Sequence, residues 1–264
     1  MNFFQNHHRK SLDKVTLSKF ENCPNLQKIE IRNLYNFYNK GLFKHTLGYT
    51  GYSTNLSYND TWSYINVDFS QLHHLNKLEE IRIYPAILAS DLSKLRSVEN
   101  LKTISLSVMH FNKDDHLSIY EPQKEICDQD LSFFKNCKKI EDINLRLGDP
   151  NFKDDGGGNI SSSYKGSGEF INFINHKIKK LRLTVNVDIK NQTTIQDIIN
   201  NITNRFLSFE NLELSFSVAA RQEYFDYEKG YTPKLDTQIL DFKKIAKLKK
   251  LENLNIQQFG ESLY

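Results

Sequence analysis

One short pattern of apolar and polar positions, apolar-x-x-apolar-x-apolar, recurs seven times along the chain. Its apolar members are Leu26, Ile29 and Ile31; Leu78, Ile81 and Ile83; Leu101, Ile104 and Leu106; and Ile140, Ile143 and Leu145. It continues as Ile178, Leu181 and Leu183; Phe209, Leu212 and Leu214; and Leu251, Leu254 and Ile256. The last two apolar positions of each copy alternate with polar ones, which predicts a short half-buried strand. Upstream of most copies, apolar residues fall every three or four positions: Phe69, Leu72, Leu75, Leu78; Leu92, Leu95, Val98, Leu101; Ile245, Leu248, Leu251. That spacing predicts amphipathic helices, with Asp91 and Asp130 placed to cap two of them and a further helix over residues 12–20. Helix, tight turn and strand in repetition predict a solenoid whose strands form a parallel sheet along one side.

The copies resemble the leucine-x-x-leucine-x-leucine segment of leucine-rich repeats. Phe20, Cys23 and Leu26, and equally Phe134, Cys137 and Ile140, are similar to the cysteine-containing subclass. The resemblance implies an α/β fold: an irregular leucine-rich-repeat solenoid, one domain over 1–264, with a parallel sheet on the concave side, helices on the convex side and long insertions after the strands. Two departures mark it as irregular. The family's asparagine, three residues beyond the last strand apolar, is matched only by Asn186, so a continuous asparagine ladder is not expected. Successive cores are also unevenly spaced, whereas regular members keep about 20–29 residues per repeat.

The extra length falls after each strand and before the next predicted helix, so the insertions are expected along one edge, often the binding edge of a solenoid. The largest, over 33–68, carries the chain's only tryptophan, Trp62, together with Tyr52 and Tyr58 among its many aromatics. Such residues suit an interface, since they bury large area at low entropic cost. They suit equally a hairpin, with 62–67 as one strand, packed on the solenoid. The segment 148–168 invites a calcium-loop reading, but Lys153 and Ser162 fall where a hard cation needs oxygen ligands. Its glycines lack the ending of a phosphate-binding loop. With serines around Gly166 and Gly168, it reads as a mobile surface loop.

Composition changes the picture little. A chain with 39% apolar and 25% charged residues has enough apolar material for a sizeable core. The net charge of +3 argues against a dedicated nucleic-acid binder. The first ten residues lack the apolar stretch of a signal peptide, and no run is long enough to span a membrane. The three cysteines, Cys23, Cys127 and Cys137, fit neither zinc nor disulfide spacing, which points to a cytoplasmic protein with reduced thiols.

No catalytic constellation is visible, and neither a metal nor a cofactor is expected. His73 and His74 are adjacent on a predicted helix and point apart. Asp114, Asp115 and His116 form a polar turn short of ligands. Cys23 and Cys137 hold equivalent repeat positions, which suggests packing rather than nucleophilic chemistry. Glu79 with Glu80, and Glu141 with Asp142, read as solvated strand edges.

The strand alternation predicts what the concave face displays. Its middle column is Glu30, Arg82, Ser105, Asn144, Arg182, Glu213 and Asn255; the next is Arg32, Tyr84, Ser107, Arg146, Thr184, Ser215 and Gln257. Exposed strand positions are polar in any case. Four arginines among them nevertheless favour a polar, partly acidic protein surface as partner. The expected function is therefore protein–protein recognition without catalysis. The alternatives are nucleic-acid contact through lysines around Lys177, Lys179 and Lys180 and from Lys243 to Lys250, or a hydrolase hidden in the insertions. Few residues follow Ile256, so a partner, a second copy or a domain absent from this chain is expected over the last repeat's apolar flank.

Overall fold

A computed structural model describes residues 12–16, 23–31, 64–69, 72–88, 92, 95, 98–109, 126–148, 163–188, 193–219 and 241–259. Its centre is one nine-stranded sheet with every pairing parallel. The strands are β1 (Leu12–Thr16), β2 (Lys28–Ile31), β3 (Tyr64–Asp68), β4 (Glu80–Leu88), β5 (Thr103–Met109), β6 (Asp142–Leu147), β7 (Lys180–Asp188), β8 (Asn211–Ala219) and β9 (Asn253–Phe259). From β4 to β9 each strand lies beside the next one in sequence.

The apolar pattern sets the register. Ile29 pairs with Ile81, and the row continues through Ile104, Ile143, Leu181, Leu212 and Leu254. All seven cores are thus aligned side by side, a repeat unit apart, and a one-residue slip would turn their apolar residues to solvent. The stacked positions Ile81, Ile104, Ile143, Leu181 and Leu212 are all buried. Leu254, in the last strand, is 48% exposed.

The segments before the strands are not the helices the spacing predicts. Leu72–His74, Asp128–Asn136, Glu169–Phe173 and Lys243–Lys247 are 3-10 helices. The reason lies in the spacing itself, since three residues per turn is the 3-10 period. Leu72, Leu75 and Leu78 each donate a backbone bond to the residue three before, Phe69, Leu72 and Leu75 in turn. Ile245, Leu248 and Leu251 do the same from Phe242 onward. One set of residues therefore supplies both the buried stripe and the hydrogen-bond ladder. Asp130 is not an N-cap: it lies inside Asp128–Asn136 and its carboxylate accepts the Cys127 N–H at 2.9 Å. Asp91 lies outside the described residues. The helix expected over 12–20 is replaced at its start by β1, which runs parallel to β3. Val15 and Thr16 are β-branched and suit that strand.

One α-helix, α1 (Thr193–Arg205), precedes β8, in the place the repeat unit gives to a helix. It buries Ile195, Ile198, Ile199 and Ile202, an i, i+3, i+4, i+7 stripe, and so replaces a 3-10 segment where the spacing changes from three to 3.6.

The turn into each of β4 to β9 is closed by one backbone carbonyl of the preceding repeat. Gln27 O accepts from both Glu79 and Glu80; Glu79 O accepts from Lys102 and Thr103; Lys102 O accepts from Glu141 and Asp142. The series continues with Glu141 O, Lys179 O and Glu210 O, each holding two N–H groups of the following repeat.

The chain leaves the sheet at the carboxyl ends of strands, as the insertion pattern predicts. β2 pairs with the first half of β4 and β3 with its second half, so the two share one lane interrupted by 32–63. Hence 64–68, expected within the aromatic insertion, belongs to the parallel sheet and not to a hairpin. Tyr164 bridges Val187 beyond the last pair of β6, and Ile126 bridges Tyr164, so two further lanes resume in the same way.

Ile143, fully buried near the middle of the sheet, tests the shared core. Ile143→Ala is expected to lower unfolding free energy by about 2–5 kcal/mol, read from urea denaturation.

Candidate functional site

The outward side of the sheet carries the residues expected to bind. Glu30, Arg82, Ser105, Asn144, Arg182, Glu213 and Asn255 are successive register partners, so the middle column is one continuous row. Ser107, Arg146, Thr184, Ser215 and Gln257 form a second row beside it. Tyr84 does not join that row. β4 bulges at Tyr84 and Pro85, so Ala86 takes the place opposite Ser107. Proline has no N–H to give a ladder, which makes a bulge its natural place in a strand. The bulge leaves Tyr84 48% exposed. Arg32, Tyr52, Tyr58 and Trp62 lie outside the described residues.

The face is charged in a way the column reading does not anticipate, because carboxylates one position away answer the arginines. Arg82 Nε lies 2.5 Å from Glu80 Oε1, and Lys28 Nζ lies 2.9 Å from both Glu80 and Glu30. Hydrogen bonds to Glu30 and then Glu80 hold the Lys28 ammonium above its ordinary pKa. Glu80 and Lys28 thus belong to the site although they stand outside the two predicted columns. Their signal in the sequence is opposite charge at i and i+2 on strands in register.

Across the sheet, Arg182 Nε donates to Glu213 at 2.6 Å. The Arg182 side chain is still 58% exposed, and its two terminal nitrogens bond nothing among the described residues. Glu213 therefore holds the guanidinium by one nitrogen while its outer edge faces solvent. Ion pairs this exposed contribute only about 0–1 kcal/mol, so they orient charge more than they stabilise the fold. Between the charged ends lie Ser107, Asn144 and Thr184, with Arg146 among them, while Ser105 and Ser215 in the same rows are buried.

A second constellation lies at the lane ends, in the stretch expected to be a mobile loop. Tyr164 is fully buried and donates its hydroxyl to Asp128 Oδ1 at 2.5 Å. Asp128 also accepts the N–H groups of Ser167 and Phe170, both at 2.8 Å, and the Ser167 hydroxyl. The Gly168 N–H donates to Tyr164 Oη at 2.9 Å. One carboxylate thus ties the 3-10 helix Asp128–Asn136 to the start of Glu169–Phe173. The glycines expected as loop punctuation have fixed roles here. A Cβ on Gly166 would lie 2.2 Å from Tyr164 Oη, and Gly168 holds φ at +81°. With donors filling both oxygens of Asp128, the cluster is built as a joint rather than a reaction centre. The calcium-loop stretch 149–162 lies outside the described residues.

Cys127 and Cys137 are poor nucleophiles. Burial pushes the Cys137 thiol up to about 12. Burial and then a hydrogen bond to Asp130 raise Cys127, whose sulfur lies 3.3 Å from that carboxylate. Cys23 and Cys137, equivalent in the repeat, differ in setting: Cys23 is exposed and Cys137 buried. His74 is exposed, and Asp114, Asp115 and His116 lie outside the described residues. Among the described residues no three His, Cys, Asp or Glu side chains cluster to hold a metal, and no helix is long and apolar enough to cross a membrane. Of the lysines proposed for nucleic acid, Lys179 is ion-paired with Glu141 at 2.9 Å. No family model matches the sequence, and no curated protein matches it.

Two outcomes check this account. Gly166→Ala should destabilise the protein by about 1–3 kcal/mol, because the new methyl displaces Tyr164 from Asp128; thermal or urea unfolding reads it. The second concerns pH. The folded Cys137 thiol sits near 12 against about 9 unfolded, so its contribution is present below pH 9 and lost as pH rises toward 12. Tyr164 is raised too, by burial first and by Asp128, and acts with the same sign. The urea midpoint should therefore fall steadily above pH 9, and Cys137→Ala should make that fall shallower.

Proposed function

We propose that this chain is an irregular leucine-rich-repeat solenoid that works as a non-catalytic protein-recognition module. Its ligand is a polar, partly acidic protein surface laid across the outward rows of β4–β9. The observation that carries the reading is the lateral register: six parallel strands bring Arg82, Ser105, Asn144, Arg182, Glu213 and Asn255 into one row. Adjacent parallel strands stand about 4.8 Å apart, so such a row offers an extended polar surface rather than a closed cleft.

The ion pairs refine the chemistry of the partner. Arg182 is oriented by Glu213 and keeps its outer nitrogens, so it is the natural anchor for a partner carboxylate. Arg82 shares Glu80 with Lys28, so this end of the row suits a partner of mixed charge. Tyr84, lifted by the bulge, adds an aromatic contact at the rim. The aromatic insertion that follows β2 in sequence, with Tyr52, Tyr58 and Trp62, belongs to the same reading as a further contact. A cytoplasmic setting with reduced thiols belongs to the same reading, as does a partner or second copy over Leu254.

The test compares capture by the wild-type chain, by a face variant and by an edge control. The face variant carries Arg82→Glu, Arg146→Glu and Arg182→Glu; the control carries Lys249→Glu and Lys250→Glu in the turn before β9. A stoichiometric protein held by wild type and control but reduced at least about tenfold by the face variant supports the reading. Equal capture by all three chains moves the contact off this face and overturns it.

A further inference from the structure

The row of turns before the strands is the opposite edge of the sheet from the insertions, and the turns before β6, β7 and β9 are basic, while the turn before β8, with Leu207 and Ser208, is not. The turns hold Lys138 and Lys139, then His176 and Lys177, then Lys249 and Lys250. Between the first two turns lies an open hollow of about 510 Å3, formed where the 3-10 helices Asp128–Asn136 and Glu169–Phe173 meet the end of α1. Lys135, Lys138, Lys177 and Arg205 all line it, and none of its ten lining residues is acidic. No ion pair reaches these four cations from any described residue, unlike Lys28, Lys102, Arg82, Lys179 and Arg182.

The hollow is built as well as charged. Arg205 donates Nε and Nη2 to the carbonyl of Ile174, at 3.0 and 2.8 Å, which fixes the plane of its guanidinium at the wall. Lys135 Nζ sits 4.0 Å above the Phe173 ring and is held at the rim. Asn175 spans the two turns, giving its amide N–H to Lys138 O and accepting the Lys177 N–H. The Arg205 guanidinium, the Lys135 ammonium and the backbone of both turns are thus set before any ligand arrives, which lowers the entropic cost of binding.

We infer that this hollow binds a compact soluble oligophosphate. Its volume falls in the range of about 300–1,000 Å3 usual for small-ligand sites. A fixed guanidinium and flexible ammonium groups are the donor set that phosphate oxygens select. Two further observations favour a small soluble ligand over a polymer or a bilayer. Lys135 already lies over one face of the Phe173 ring, so a nucleobase would have to displace it to stack there. Leu207 is the one large apolar side chain exposed near Arg205 in sequence, too little to insert into lipid.

The test uses inorganic tripolyphosphate and the full chain, by calorimetry at a constant ionic strength of about 0.15 M. Wild type is expected to bind one equivalent saturably. Lys138→Glu with Lys177→Glu, both on the surface, should weaken binding at least about tenfold. Lys249→Glu with Lys250→Glu, in a basic turn away from the hollow, should leave it unchanged. Arg205→Lys should weaken binding severalfold, and the double lysine variant remains decisive if that change disturbs folding. Three results would each overturn the inference. One is absence of saturable binding. Another is equal weakening by both lysine pairs, which means diffuse charge. The last is an oligothymidylate or phosphatidylserine-containing vesicles binding at this edge without competition from tripolyphosphate.

Discussion

The structure depends on a backbone interaction repeated at the turns into β4 to β9: a single carbonyl of one repeat accepts two consecutive N–H groups of the next. Gln27, Glu79, Lys102, Glu141, Lys179 and Glu210 all serve this way. The bond is independent of the side chain, which is why glutamine, glutamate and lysine can share the role. It fixes where each strand begins relative to its neighbour, and with the starts aligned the apolar residues stack in one row. Their side chains, free of the backbone task, form ion pairs along the edge: Glu79 with Lys102 at 2.7 Å and Glu141 with Lys179 at 2.9 Å. Hydrogen bonding to Lys179 holds Glu141 below the ordinary carboxylate range.

A fold pinned at the amino ends of its strands tolerates great variation at the carboxyl ends. Every long departure of the chain begins there, and in three lanes the chain returns to the lane it left. The return after 149–162 is secured by buried polar contacts as well as by packing. Tyr164 takes its place next to Val187, and Asp128 gathers the donors around it. Burying a hydroxyl and several N–H groups is tolerable only when all are bonded, and here each of them is.

The two faces of this arrangement divide the chemistry. The outward rows combine opposite charges within the sheet, leaving Arg182 as an oriented but accessible cation. The turn edge near Arg205 keeps four cations that no described residue ion-pairs. A protein partner on the first and a small anion on the second would occupy separate surfaces, so the two need not compete.

What the sequence alone determined was the set of apolar triplets and, through strict alternation, which residues share the outward face. Period-two patterning leaves no freedom once one side is buried, so Arg82, Asn144, Arg182 and Glu213 could be placed from composition and order alone. The insertions' exit edge was legible for the same reason. The helical segments were misjudged because spacings of three and of 3.6 overlap over so few turns; Leu72, Leu75 and Leu78 are equally consistent with both until hydrogen bonds are known. Only the tertiary structure decided what depends on distant residues meeting. Glu80 is brought to Lys28 and Asp128 to Tyr164 by lateral pairing across insertions whose lengths no local pattern fixes. The bulge at Tyr84 and Pro85 and the basic hollow beside Arg205 arise likewise where neighbouring repeats differ, and a repeat pattern records only what they have in common.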